Sequence, residues 1–389
     1  MRSAIGKPRK TAMKGQCTMH ARTRSRRSLL GSAVLLVILT LSGATACTGP
    51  AAAPPPTPTP LPLPDKLTFY DWAEDMPQPV LDAFEAEYGI KVNYQVYESQ
   101  EQAIDRLKGG QRYDVVVMES RFIPMLANDR LLASIDRRNI PNYKNISASF
   151  RNLLYDPGNK YSIPYNWGTT GLVVRSDLLP QAATRWADLW DPRYAGKVGI
   201  WRGQPREVIA LTLKSLGHSA NSESPMELEA ALQQLLKLKP QAIFLEDVDP
   251  ATSAPALADG RLVMAMGYAS DVLLGREQSK AITYALPQEG ALLWGDTFVI
   301  PAGGPNKHAA ELFLNFLLRP ERSAQIANEN HYATANEAAR ALIERDILND
   351  PVIFPTNESM KTAELILPLS AKGQKLYDDI WARFMAAGQ

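Results

Sequence analysis

Aromatic and acidic side chains recur together in this 389-residue chain, at places where an apolar run hands over to a loop or helix. Asp71-Trp72-Ala73-Glu74-Asp75 follows one such run, and Trp294-Gly295-Asp296 precedes another. Glu207 opens a helical pattern just after Trp201, and Tyr268 and Asp271 follow a further apolar stretch. Indole faces attract cations, by about 2 kcal/mol when desolvated. Carboxylates take ammonium groups through charge-assisted hydrogen bonds. Such pairs suit an organic amine with an apolar spacer. Any one pair serves equally well as a packing ring beside a capping acid; the convergence of several pairs raises the weight of a site.

Other chemistries find little support. His20, His218, His308 and His331 lack metal-ligand spacing, and no P-loop, dinucleotide-binding glycine motif or nucleophile elbow is present. No cofactor and no metal are expected. Glu74, Glu207 and Asp296 leave a carboxylate-based hydrolase as the enzymatic alternative. A sensor or scaffold lipoprotein is a third class. Residues 1–46 hold nine of the 42 Lys and Arg and none of the 41 Asp and Glu, so the remainder carries a formal net charge of −8. An acidic body disfavours nucleic acid and mildly favours cationic ligands.

The elements that position these residues alternate between strand and helix. Leu67–Tyr70 reads as a strand, Val80–Tyr88 as an amphipathic helix stopped by Gly89, and Ile90–Tyr94 as a second strand. A helix over Gln100–Leu107 leads to the apolar strand Asp114–Met118. This order implies a doubly wound sheet whose ligands lie beyond the carboxyl ends of its strands. A second unit starts near Gly171, with strands Leu172–Val174, Val198–Ile200 and Leu262–Met266 and helices Arg206–Leu216 and Pro225–Leu238. Strand Thr297–Ile300 and helices Ala309–Leu317 and Arg322–Asn328 read as a return to the first unit. Two α/β lobes joined by crossing strands leave a cleft between them, a common ligand site.

The amino-terminal segment places the lobes. A basic, acid-free leader precedes the apolar run Leu29–Leu41, and Ala44-Thr45-Ala46 leads into Cys47. This is the pattern of an export signal. It resembles a bacterial lipobox, with Ala44 where leucine is usual, and implies lipidation of Cys47. An uncleaved anchor and a plain secretory signal are the alternatives. Ser25-Arg26-Arg27-Ser28-Leu29-Leu30 resembles a twin-arginine signal, and Met19 is an alternative start. Beyond Cys47 no cysteine remains, so no disulfide framework is expected. Thr48–Pro64 is proline-rich and favours an extended tether of roughly 50 Å.

The body of the chain resembles the spermidine/putrescine-binding branch of the family 1 extracellular solute-binding proteins, over nearly all of Leu67–Leu342. The telling stretches are Leu67–Glu74, Tyr161–Gly171, Arg185–Pro192, Arg206-Glu207-Val208, Trp294-Gly295-Asp296 and Phe316–Pro320. The resemblance implies a two-lobed, periplasmic-binding-protein-like (type II) α/β fold with a central cleft and hinge crossovers. It implies a monomer that binds a polyamine or related small amine and docks on an ABC permease, with another small cationic or zwitterionic solute as the alternative ligand. The expected boundaries are a signal at 1–46, a tether at 47–64, lobe one at 65–169 and 295–342, lobe two at 170–294, and C-terminal helices at 343–389 packing on lobe two.

Residue by residue, Trp72, Glu74, Glu207, Trp294, Asp296 and Tyr332 match the family's cleft aromatics and acids. Tyr161–Gly171 is expected to act as hinge and packing, with Pro164 stiffening it and Gly168 and Gly171 allowing backbone rotation. Four positions depart from the pattern. Asp75 and Arg121 stand where tyrosines are usual, Gln204 where an acid is common, and Gly267 where a tryptophan is common, with Tyr268 next to it as a substitute. Losing an acid and gaining Arg121 would penalise a polycation if both face the cleft. An Asp75–Arg121 pair would cancel the extra charge; otherwise Arg121 is a solvated residue at a helix start.

Overall fold

The computed structural model describes residues 62–387 apart from 74 and 247–249. Its elements follow in chain order. The first group is β1 (Lys66–Trp72), α1 (Gln78–Tyr88), β2 (Lys91–Tyr97), α2 (Gln100–Lys108), β3 (Val115–Glu119) and α3 (Ile123–Asn128). The middle group is β4 (Ser162–Arg175), β5 (Val198–Trp201), α4 (Pro205–Ser215), α5 (Pro225–Leu238), β6 (Ala242–Leu245), α6 (Pro250–Ala258), β7 (Met264–Gly267), α7 (Ala269–Gln278) and β8 (Ile282–Ala285). The last is β9 (Leu292–Val299), α8 (Lys307–Leu317), α9 (Pro320–Asn330), β10 (Ala333–Thr334), α10 (Arg345–Leu348), β11 (Glu364–Leu365) and α11 (Ala371–Ala386).

Strand periodicity explains the first lobe. Along β1 and β3, Leu67, Phe69, Val115 and Val117 point into one core while Tyr70, Val116 and Met118 point into another. Both faces are covered, which is why these strands read as continuous apolar runs. The strand order is β2-β1-β3-β9-β4, with β1–β2 and β1–β3 parallel and β3–β9 and β9–β4 antiparallel. Phe84 of α1 meets Phe313 and Phe316 of α8 at 4.8 and 5.4 Å between ring centroids. Gly89 ends α1 at φ 68°, a left-handed turn that costs glycine little. Ser99 starts α2 by accepting the Gln102 N–H at 3.2 Å.

The second lobe shares β4. Its Ser162–Thr170 part pairs with β9, and its Gly171–Arg175 part with β7 and β8. Beyond β7, strands β5 and β6 add in parallel. The second core gathers Leu228, Leu232 and Leu235 of α5 with Tyr377, Ile380 and Phe384 of α11. Lys239 donates to the Phe384 and Met385 carbonyls, both at 2.7 Å, satisfying the end of α11. The fold is thus α/β and two-lobed, with β4 and β9 crossing between separately packed cores. No helix among the described residues is long and apolar enough to cross a membrane.

Tyr161–Gly171, expected to act as hinge and packing, lies almost wholly in the 14-residue strand β4, with a register shift against β9 between Pro164 and Trp167. Gly168 and Gly171 are needed for close approach. A Cβ on Gly168 would sit 2.3 Å from the Trp294 ring, and one on Gly171 would sit 2.9 Å from the Ala285 carbonyl oxygen.

Candidate ligand-binding site

The carboxyl ends of β1 and β3 and the adjoining part of β9 bring the first-lobe acids together. Register sets Glu119 directly opposite Asp296 on the β3–β9 ladder, so two carboxylates stand side by side. Asp71 is the penultimate residue of β1, toward the same end, and is fully buried. Its Oδ1 accepts the Trp72 N–H at 2.8 Å, whereas Oδ2 has no hydrogen-bond partner among the described residues. Burial, then the charges of Asp75 and Asp296, push the Asp71 carboxyl well above the usual range. Asp296 is also buried, with Oδ1 unpaired. Burial and the nearby Glu119 and Asp75 raise it well above its ordinary value, with Arg121 pulling the other way.

Asp75 is held by amides. Asn166 Nδ2 donates to its two carboxylate oxygens at 3.1 and 3.3 Å, and Asn330 Nδ2 donates to Oδ1 at 3.1 Å. Burial pushes its carboxyl up to about 7, against the lowering effect of those donors. The expected Asp75–Arg121 pair does not form. Arg121 donates from Nε to Glu119 instead, because the guanidinium on the short turn Ser120–Phe122 folds back onto the residue two positions earlier. Nor is Arg121 a solvated helix-start residue: its side chain is only 17% exposed and lies over the Phe122 ring at 4.6 Å.

Glu207 comes from the first turn of α4, where the helix dipole favours an anion. Its Oε2 accepts from Thr170 Oγ1 at 2.5 Å and its Oε1 from the Tyr268 hydroxyl at 2.8 Å. Burial raises its pKa, Glu119 adds to the rise, and Arg121 opposes it. First-lobe charges are therefore felt in the second lobe. Gln204 occupies the N-cap position of α4 without making a side-chain cap bond.

Rings connect the two sides. Trp201 meets Tyr268 at 4.6 Å, Tyr268 meets Trp294 edge-on at 5.6 Å, and Trp294 meets Tyr332 edge-on at 5.5 Å. Tyr268 is fixed from behind, its N–H donating to Asp271 Oδ2 at 2.7 Å. The Trp294 Nε1–H is buried without a partner. Trp72 packs on Tyr97 at 4.6 Å, and the Tyr97 hydroxyl is pushed up by burial and then by Asp71, Asp296 and Asp75. Gly267 has no room for a side chain, since a Cβ there would lie 2.5 Å from Val173.

Of the residues singled out in the sequence, Trp72, Asp75, Arg121, Glu207, Tyr268, Trp294, Asp296 and Tyr332 are thus linked by contacts or mutual charge effects. Glu74 and Cys47 lie outside the described residues. Sequence reasoning did not select Asp71, Glu119, Thr170, Asn166 or Asn330. Asp71 was signalled by its place beside Trp72, and Asn166 and Thr170 lie in the segment read as hinge; Asn330 carried no signal. Among the described residues, no set of three or more His, Cys, Asp or Glu side chains is placed to hold a metal ion.

The site thus combines buried carboxyl groups bearing oxygens unpaired among the described residues with a row of contacting rings. Residues 80–356 match the model of the bacterial extracellular solute-binding proteins. The chain belongs to this family. As a family member it binds a solute and is not an enzyme, which sets aside the carboxylate-hydrolase alternative. The spermidine/putrescine-binding periplasmic protein of Escherichia coli is 34% identical over 323 residues, 82% of this chain and 91% of that one. The putrescine-binding periplasmic protein SpuD of Pseudomonas aeruginosa is 31% identical, over 90% of this chain and 96% of its own. Among solved structures, the spermidine/putrescine ABC transporter substrate-binding protein PotD of Streptococcus pneumoniae superposes with a TM-score of 0.75 at 31% identity, covering 83% of this chain and 99% of that chain. The Tp0655 lipoprotein of Treponema pallidum gives a TM-score of 0.73 at 26% identity, over 82% of this chain and 99% of its own.

Proposed function

We propose that this family member captures a polyamine of the putrescine or spermidine class between its lobes and hands it to an ABC permease. The observation that carries the reading is the pair of buried carboxylate oxygens, Asp71 Oδ2 and Asp296 Oδ1, that lack a hydrogen-bond partner among the described residues, the second on the same strand as Trp294. Leaving a buried acceptor unpaired costs about 1–3 kcal/mol, more when charged, and an ammonium removes that cost. The ligand contacts proposed are Trp72, Glu74, Asp75, Gln204, Glu207, Tyr268, Trp294, Asp296 and Tyr332, with Arg121 at the edge of the same cluster. Relatives named for spermidine and putrescine binding support the choice of amine.

In this proposal the protein works as a monomer, with lobe one at 65–169 and 295–342 and lobe two at 170–294. Lipid on Cys47 holds it at the outer side of the cytoplasmic membrane through the proline-rich tether. Titration calorimetry of the purified protein against putrescine, spermidine and a panel of amino acids tests the ligand. Saturable heat with an amine is expected, and silence across all amines would end the polyamine reading. Fractionation of cells expressing Cys47→Ser tests the anchor. The variant should leave the membrane fraction, and unchanged membrane association would remove the lipid from the account.

A further inference from the structure

Glu119 and Asp296 face each other across the β3–β9 ladder, and two like charges so placed repel. Only one of them has a cation of its own. Arg121 Nε is bonded to Glu119, the guanidinium is stacked on Phe122 at 4.6 Å, and the pair is largely shielded from water, with side chains 17% and 20% exposed. A guanidinium is more weakly hydrated than an ammonium and suits such a sheltered pair. Its charge also reaches Glu207 and the Tyr268 hydroxyl in the second lobe. Asp71 Oδ2 and Asp296 Oδ1 have no hydrogen-bond partner among the described residues. Demand for a cation is therefore uneven among these acids: Glu119 has one from the chain itself, and its neighbour Asp296 and Asp71 do not.

We infer that Arg121 is a specificity-determining residue, a built-in cation beside Glu119, so that the site prefers a short diamine over a longer triamine. The inference rests on the polyamine reading and refines it. A diamine places its two ammonium groups among acids that lack a cation of their own. A triamine brings an additional positive charge into a site that already holds Arg121, and like charges close together in a desolvated site penalise binding.

The test is titration calorimetry of the purified protein with putrescine, spermidine and gamma-aminobutyrate. The parent protein should prefer putrescine. Arg121→Met should improve spermidine binding by about tenfold or more, which corresponds to about 1.4 kcal/mol, while putrescine binding changes far less. Arg121→Gln keeps a hydrogen bond for Glu119 without the charge and should do the same, which covers a failure of the methionine variant to fold. Arg121→Lys keeps the charge and should keep the preference. A parent protein that prefers spermidine, or a spermidine-to-putrescine ratio that does not move in the neutral variants, overturns the inference and leaves the polyamine reading standing. Tighter binding of gamma-aminobutyrate than of putrescine, lost in Arg121→Gln, would put a ligand carboxylate on Arg121 and also overturn it. A parent protein that binds no amine ends both.

Discussion

On the proposed ligand site, Asp75 should couple amine binding to pH. Its carboxyl is pushed from an ordinary 3.8 up to about 7 by burial, with Asp71 and Asp296 close enough to share the strain of charge. An acid whose folded pKa exceeds its unfolded value binds extra protons in the native state between the two, so its effect on stability becomes unfavourable as pH rises from about 4 to about 7. A bound ammonium favours the ionised form. Amine affinity should therefore rise between about pH 5.5 and about pH 8, with proton release detectable by calorimetry in buffers of different ionisation enthalpy. Asp75→Asn should flatten that rise, and a parent protein with pH-independent affinity would contradict it. Asp296→Asn and Glu207→Gln should each weaken amine binding by roughly 1–3 kcal/mol, the scale of a lost charged hydrogen bond. Equal affinities in both variants would show that the amine sits elsewhere.

At the scale of elements, β4 and β9 carry the argument. They cross between the lobes side by side, and the same ladder that sets Gly168 against Trp294 positions Thr170, at the start of the second lobe, to bond Glu207. Pairing in β4 is therefore also placement of the site. Gly168→Ala would drive a methyl group into the Trp294 ring, where the gap is 2.3 Å. Overpacking of this kind costs about 1–3 kcal/mol. The denaturant midpoint should fall with an unchanged slope, and amine binding should weaken because the indole is displaced. An unshifted midpoint would mean that β9 yields without cost.

For the whole molecule, two lobes with separately packed cores, joined by a pair of crossing strands, favour motion of the lobes as units. Capture by closure then predicts a smaller radius of gyration on amine addition, read by small-angle scattering. Because ligand binds the native state only, saturation at a hundredfold excess over the Kd should add about 2.7 kcal/mol to unfolding. Thermal stabilisation without compaction would indicate a site already closed in the free protein.

Much of this molecule was legible in its sequence because the signals are local. Helical spacing and a glycine stop mark α1, an unbroken apolar run marks β3, and Trp294-Gly295-Asp296 announces a ring beside an acid. Those patterns determined the α/β elements, their order and the cationic bias of the site. Only the tertiary structure decided which charges meet. Asn166 and Asn330, which hold Asp75, stand 91 and 255 residues away from it. Arg121 turned to its near neighbour Glu119, and not to Asp75, because β3 ends where its side chain can fold back. Strand register and side-chain direction are properties of the assembled sheet, and no period along the chain records which distant residues it will bring face to face.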